Sequence, residues 1–195
     1  MFYIQATDGV KIAVYDYNSC GKRTVFLIHG WPLSHKIYEY QIPRLIDCGY
    51  RVVAIDLRGF GASEAPGCNY GYDQMASDIY CVVKRLNLCS FTLVGFSMGG
   101  AIALRYMRLF GGCGVKKLIL LSAAAPSWTM RPGFPYGFTK AYVNGLIEGI
   151  RTDRAKFAET FSSQLFARTQ SKEIKAWFAQ IAMSASAVGT IGTAG

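Results

Sequence analysis

The sequence predicts an α/β protein, a doubly wound and mostly parallel sheet followed by a separate group of helices. Three observations carry that reading. Residues 24–28, 51–55, 91–94 and 115–121 are apolar runs of strand length, the pattern of strands buried on both faces. Between them lie stretches whose apolar residues recur at helical spacing, and strands alternating with helices imply right-handed crossovers. After Pro126 the alternation stops, and helical periodicity continues with no intervening strand.

Composition sets the outer limits. A chain of 195 residues can hold one sizeable core, with or without a small insertion. With 51% hydrophobic and 17% charged residues it is globular and not disordered. Charges or glycines interrupt every long apolar stretch, so no transmembrane helix fits, and Met1-Phe2-Tyr3-Ile4-Gln5 lacks the basic and apolar regions of a signal peptide. Cys20, Cys48, Cys68, Cys81, Cys89 and Cys113 lie at irregular spacings with no C-x-x-C pair. Metal binding is therefore not expected, and reduced thiols in a cytoplasmic protein are. The formal net charge of +9 invites a nucleic-acid reading, but the basic residues are scattered and no nucleic-acid-binding motif accompanies them. A solvated basic surface is the better account. Neither a nucleic acid nor a membrane is expected as a partner, and nothing in the sequence specifies an oligomeric state.

In chain order, 2–5 and 11–17 read as two strands joined at Thr7-Asp8-Gly9, a hairpin. Residues 24–28 form a strand ending in the loop His29-Gly30-Trp31-Pro32-Leu33. Tyr38, Ile42, Leu45 and Ile46 carry a helix that stops at Gly49. Strand 51–55 leads into Asp56-Leu57-Arg58-Gly59-Phe60-Gly61-Ala62-Ser63. Met75, Ile79, Val82, Val83 and Leu86 lie on one stripe of a helix over 72–86. The apolar run 91–94 is a strand, a helix begins at Met98, and 115–121 is the sixth strand. Residues 128–138 are rich in proline, glycine and aromatics and have no period. Three amphipathic helices follow, through Ala141, Tyr142, Leu146 and Ile150, then Phe157, Phe161 and Leu165, then Ile174, Trp177, Phe178, Ile181, Ala182 and Ala185. Ser171 is placed to cap the last of them. This helical insertion reads as a lid, which divides the chain into a core over 1–126 and a cap over 127–195. Residues 188–195 do not read as the end of a finished domain.

The chemistry centres on Gly95-Phe96-Ser97-Met98-Gly99, which matches G-x-S-x-G between a strand and a helix. In that setting the pentapeptide makes a sharp elbow that exposes a nucleophilic hydroxyl above a parallel sheet. The following helix aims its N-terminal N–H groups at the place where an oxyanion forms. The expected oxyanion donors are the backbone N–H of Met98, next after the serine, and that of Trp31, in the loop after the third strand. A serine hydroxyl also needs a base, usually a histidine oriented by a carboxylate. Both histidines, His29 and His35, precede Ser97, and the later acids Glu148, Asp153, Glu159 and Glu173 fall in the helical insertion. The triad is incomplete. His29, at a strand end before Gly30, reads as loop-shaping and not as a base, and His35 reads as exposed.

His29-Gly30-Trp31-Pro32, Asp56-Leu57-Arg58-Gly59-Phe60-Gly61-Ala62-Ser63 and Gly95-Phe96-Ser97-Met98-Gly99-Gly100 together resemble the three signatures of the α/β-hydrolase superfamily. Trp-Pro after His-Gly, with Gly-Phe-Ser-Met-Gly-Gly at the elbow, resembles its cofactor-free haloperoxidase/arylesterase branch. The resemblance covers residues 1–126 and, more loosely, the cap. It implies six of the eight strands such a core has, the last two delivering the acid and then the histidine after the cap. It implies acyl transfer from a small carboxylic ester through Ser97, with water or peroxide releasing an acid or a peracid, and no metal, haem or other cofactor. Asp56 and Arg58 are structural by the same resemblance, and a serine at 97 separates the chain from epoxide hydrolases and dehalogenases, which place Asp there.

Trp31 and the cap aromatics Trp128, Phe134, Tyr136, Phe138 and Trp177 are candidates for an apolar acyl or aryl pocket. Lacking a base and with 115–121 as an open sheet edge, the 195-residue chain is expected to be inactive and poorly soluble. The competing reading is a non-catalytic protein that binds a small ligand under the cap. The elbow and the oxyanion loop count against it, because a binding module needs neither.

Overall fold

The computed structural model describes residues 1–194. Its strands are β1 (Phe2–Gln5), β2 (Lys11–Tyr17), β3 (Arg23–Ile28), β4 (Tyr50–Ile55), β5 (Phe91–Phe96) and β6 (Val115–Leu121). Its helices are α1 (Gln41–Asp47), α2 (Tyr72–Arg85), α3 (Met98–Leu109), α4 (Lys140–Thr152), α5 (Arg154–Gln164), α6 (Lys172–Ser184) and α7 (Ala187–Gly192). A short 3₁₀ turn, His35–Tyr38, precedes α1.

The six strands form one sheet in the order β1-β2-β4-β3-β5-β6. β1, β2 and β4 pair antiparallel, whereas β4, β3, β5 and β6 run parallel. The central parallel strands β3, β4 and β5 are apolar over most of their length because both faces are covered. Phe26, Ile28, Val53, Ile55 and Leu93 point into the larger core, which α2 and α3 close with Met75, Ile79, Val82, Ile102 and Tyr106. Their neighbours Val25, Leu27, Val52, Ala54 and Val94 point to the opposite face, where Tyr38 and Ile42 cover them. The period-2 alternation of side chains thus sends successive apolar residues to two different cores.

A buried ion cluster ties the hairpin to this core. The Arg58 guanidinium, with no solvent exposure, donates to Asp78 at 2.6 and 2.7 Å and to Asp8 at 2.8 and 3.1 Å. The forked geometry satisfies both carboxylates at once. Arg58 is structural, as expected.

β6 pairs only with β5 and forms the other edge of the sheet. Ile119, Leu120 and Leu121 are all exposed, so apolar side chains face water on both sides of this strand. Beyond it, α4, α5 and α6 start at Thr139, Asp153 and Ser171, whose side chains accept the N–H of Tyr142, Lys156 and Ile174. Arg154 reaches from the first turn of α5 to the carbonyls of Ala182, Met183 and Ala185, so a cation caps the C-terminal end of α6. Residues 187–192, read from the sequence as no element, form α7, capped by the Ser186 hydroxyl, which accepts from Gly189 N–H at 2.8 Å.

Candidate active site

Ser97 stands between β5 and α3 with φ 52° and ψ −118°. A non-glycine residue in that region carries strain on the order of 1–3 kcal/mol and persists only where its surroundings over-determine it. Here they do. Ser97 N–H donates to the Leu121 carbonyl at 2.9 Å, and the Ser97 carbonyl accepts from Gly100 N–H at 2.9 Å and from Ala124 N–H at 3.0 Å. Glycines let the walls close in. A Cβ at Gly95 would lie 2.5 Å from the Gly99 carbonyl oxygen, and one at Gly99 would lie 2.4 Å from that of His29. A Cβ at Gly30 would lie 2.9 Å from the Ser97 Cβ, so the loop after β3 rests directly against the elbow.

That loop is pinned at three points. His29 is fully buried; its Nδ1–H donates to the Gly30 carbonyl at 2.9 Å, and its Nε2 accepts the Leu57 N–H at 2.9 Å. Burial holds its pKa below the ordinary value. Both ring nitrogens are occupied, so His29 shapes the loop and is not free to take a proton. The second pin is Asp56, buried at the end of β4, which accepts from His35 N–H and His35 Nδ1–H at 2.8 Å, from Ala62 N–H at 2.8 Å and from Tyr15 O–H at 3.2 Å. Burial pushes the Asp56 carboxyl up, but the His35 hydrogen bond and the positive field of both histidines outweigh it, and its pKa lies below the usual carboxylate value. The third pin is the Trp31 indole N–H, which donates to the Thr190 carbonyl of α7 at 2.8 Å.

His35 was expected to be exposed. Its side chain is only 11% exposed, because it pairs with Asp56 and its ring stacks on Tyr15 at 3.5 Å between centroids. Tyr15 belongs to β2, three strands from β5, and strands lie about 5 Å apart, so His35 is anchored well away from Ser97. The acids that follow Ser97 stay on the helices: Asp153 caps α5, and Glu148 accepts from Thr152. Among the described residues no cluster of three His, Cys, Asp or Glu side chains could hold a metal.

A cavity of about 440 Å³ opens over Ser97, with Trp31 and Met98 beside it. Among the described residues neither the Trp31 nor the Met98 backbone N–H donates to a protein acceptor. Trp31 and Trp128 line this cavity. Phe134 and Trp177 do not: Phe134 packs on Tyr136 within its own loop, and Trp177 packs on Tyr40 and Phe178. The apolar wall comes instead from Phe157 and Phe161 on α5, Leu165 just after it, and Tyr142 and Leu146 on α4. Phe157 and Phe161 meet the Trp31 ring edge-on, at 5.7 Å each. Their i, i+4, i+8 stripe was visible in the sequence, but spacing cannot say whether a stripe faces a core or a cavity.

The family model for the alpha/beta hydrolase fold matches residues 23–182, most of the chain. The AB hydrolase superfamily protein YisY of Bacillus subtilis is 46% identical over 97% of the chain and 70% of its own length. The chain belongs to the α/β-hydrolase family. Within it, the chain lies on the haloperoxidase/esterase branch. A solved esterase of Exiguobacterium antarcticum superposes with a TM-score of 0.95 at 44% identity, over 99% of this chain and 71% of that one. A bromoperoxidase of Bacillus anthracis superposes with a TM-score of 0.90 at 34% identity, over 98% and 72%.

Proposed function

We propose that this α/β-hydrolase acts on carboxylic esters by acyl transfer, with Ser97 as nucleophile. The observation that carries the reading is the strained Ser97 turn at the floor of an apolar cavity, flanked by two backbone N–H groups without protein acceptors. Ser97 Oγ attacks the ester carbonyl carbon, and its proton passes to a base. The Trp31 and Met98 N–H groups stabilise the tetrahedral oxyanion, a contribution of about 3–4 kcal/mol per donor in serine hydrolases. The alcohol leaves, and water attacks the acyl-enzyme to release the acid. Hydrogen peroxide in place of water releases a peracid by the same bond exchange, with no change of oxidation state at the protein and no cofactor. Residues 127–195 act as the lid over the core, residues 1–126, and their α4 and α5 side chains set the apolar acyl pocket.

His29 has both ring nitrogens occupied and His35 is paired with Asp56 and stacked on Tyr15, so neither histidine of the chain serves as the base. The test is hydrolysis of p-nitrophenyl acetate by the chain and by Ser97→Ala, with and without added imidazole. The two proteins are expected to match without imidazole and to separate with it, as the small base substitutes for the side chain. Ser97-dependent turnover without imidazole would show that a base lies within the chain. No Ser97 dependence under either condition would overturn acyl transfer and favour the ligand-binding reading.

A further inference from the structure

The basic residues, scattered along the sequence, are segregated from acids. Between Asp78 and Glu148 the chain carries Lys84, Arg85, Arg105, Arg108, Lys116, Lys117, Arg131 and Lys140 and not one carboxylate side chain. Eight of the nine net positive charges therefore come from this stretch. The fold gathers part of it at one place. A cleft of about 620 Å³ next to the Ser97 cavity is lined by Arg105 and Arg108 of α3 and by Thr129 and Arg131 of the 128–138 loop. Asp73 pairs with Arg105 at the surface, and Arg108, Arg131 and Lys140 have no carboxylate partner among the described residues.

The same loop carries apolar side chains out into water. It is closed by Met130 N–H to the Phe138 carbonyl and by paired bonds between Arg131 and Phe134, with Pro132-Gly133 at the tip. Tyr136 is 71% exposed, and Met130, Phe138 and Tyr142 are each more than two-fifths exposed. Phe138 and Tyr142 stack on each other at 4.5 Å and also line the Ser97 cavity, so this apron leads into the cavity mouth.

We propose that the 128–142 apron docks on an anionic lipid surface, with Met130 and Tyr136 entering the headgroup region and Arg108, Arg131 and Lys140 facing the lipid charge. Exposed aromatics beside Arg108, Arg131 and Lys140, none of them paired with a carboxylate among the described residues, have the composition of interfacial anchors. A duplex nucleic acid would match the charge but offers no apolar layer to receive the projecting Met130. Docking would set the apolar cavity mouth against the lipid. This is a peripheral contact, since no helix among the described residues is long and apolar enough to cross a membrane. It stands apart from the chemistry proposed for Ser97.

Co-sedimentation with vesicles tests it, using phosphatidylglycerol mixed with phosphatidylcholine against phosphatidylcholine alone. The chain is expected to bind the anionic vesicles at low salt and to leave them at high salt. Arg131→Gln with Lys140→Gln should lower the partition coefficient roughly 25-fold, about fivefold per charge. Met130→Ser with Tyr136→Ser should weaken binding at every salt concentration. All four side chains are exposed, so unchanged thermal melts will show that the variants fold. Failure to bind anionic vesicles, or wild-type binding by either variant pair, overturns the proposal. So does a dimer that Met130→Ser with Tyr136→Ser dissolves, which would make a second copy the occupant. Capture of the chain from vesicles by duplex DNA, sensitive to the charge pair alone, would overturn it in favour of a polyanion.

Discussion

The indole N–H of Trp31 donates to the backbone carbonyl of Thr190 at 2.8 Å, joining the loop beside Ser97 to a helix 159 residues further along the chain. The same residue carries one of the two backbone N–H groups proposed to hold the oxyanion. Trp31→Phe keeps a ring against Phe157 and Phe161 but leaves the Thr190 carbonyl with only the long 3.4 Å bond from the Thr193 hydroxyl. A loss of about 1–3 kcal/mol is expected, read as a lower urea midpoint at unchanged slope. An unchanged midpoint would mean that the bond is replaced by water at no cost.

α7 is held by contact between two glycines. The Gly59 carbonyl accepts from Ser186 N–H at 2.8 Å, and a Cβ on Gly189 would lie 2.8 Å from the Gly59 Cα. Gly189→Ala is therefore expected to cost about 1–3 kcal/mol and to make α7 the first segment cut in limited proteolysis. Gly145, in the middle of α4 with nothing within 4 Å of its would-be Cβ, is the control. Gly145→Ala should stabilise by about 0.5–1 kcal/mol, because alanine loses less backbone freedom than glycine in a helix.

Arg58→Met should be among the most damaging single changes in the chain. It would strand the Asp78 carboxylate, 1% exposed, without its cation, at about 3–5 kcal/mol. Arg58→Lys should recover little of this, since one ammonium cannot fork between Asp8 and Asp78. Denaturant midpoints of the two variants will decide it, and wild-type stability in Arg58→Lys would show that charge alone suffices.

Stability should fall as pH drops below the ordinary histidine value of 6.5. His29 is buried, and its folded pKa is lowered by that burial. Below the unfolded pKa, the unfolded chain binds a proton that the folded chain refuses. Stability from this group is complete above 6.5 and falls by about 1.4 kcal/mol per pH unit between the two values. Melting temperatures of the wild type and His29→Gln, followed from neutral pH downward, should diverge in slope over that window. Parallel curves would assign the acid sensitivity elsewhere.

What could be read from the sequence was set by distance along the chain. The Ser97 turn, the loop at Trp31 and the N-cap at Ser171 are local patterns, each specified within a few residues, and the structure contains all three elements. α7 was missed because Gly189, Thr190 and Gly192 are poor helix formers, and the partners that fix it, Gly59 and Trp31, are more than a hundred residues away. His35 was misjudged for the same reason: its pairing with Asp56 and stacking on Tyr15 depend on which strand ends are neighbours. The cavity wall at Phe157 and Phe161 was legible as an apolar stripe, but its partner was not.

The elbow divides its constraints unevenly. Gly95 and Gly99 are walled by backbone so closely that a methyl group at either would force the main chain to move, and one at Gly30 would meet the Ser97 Cβ at 2.9 Å. The residue at 97 lines the cavity. The turn is thus a rigid socket around one interchangeable fitting, and a thiol or carboxylate placed at 97 would reach the cavity with the surrounding backbone unchanged. Residue 97 can therefore change while Gly95 and Gly99 beside it cannot.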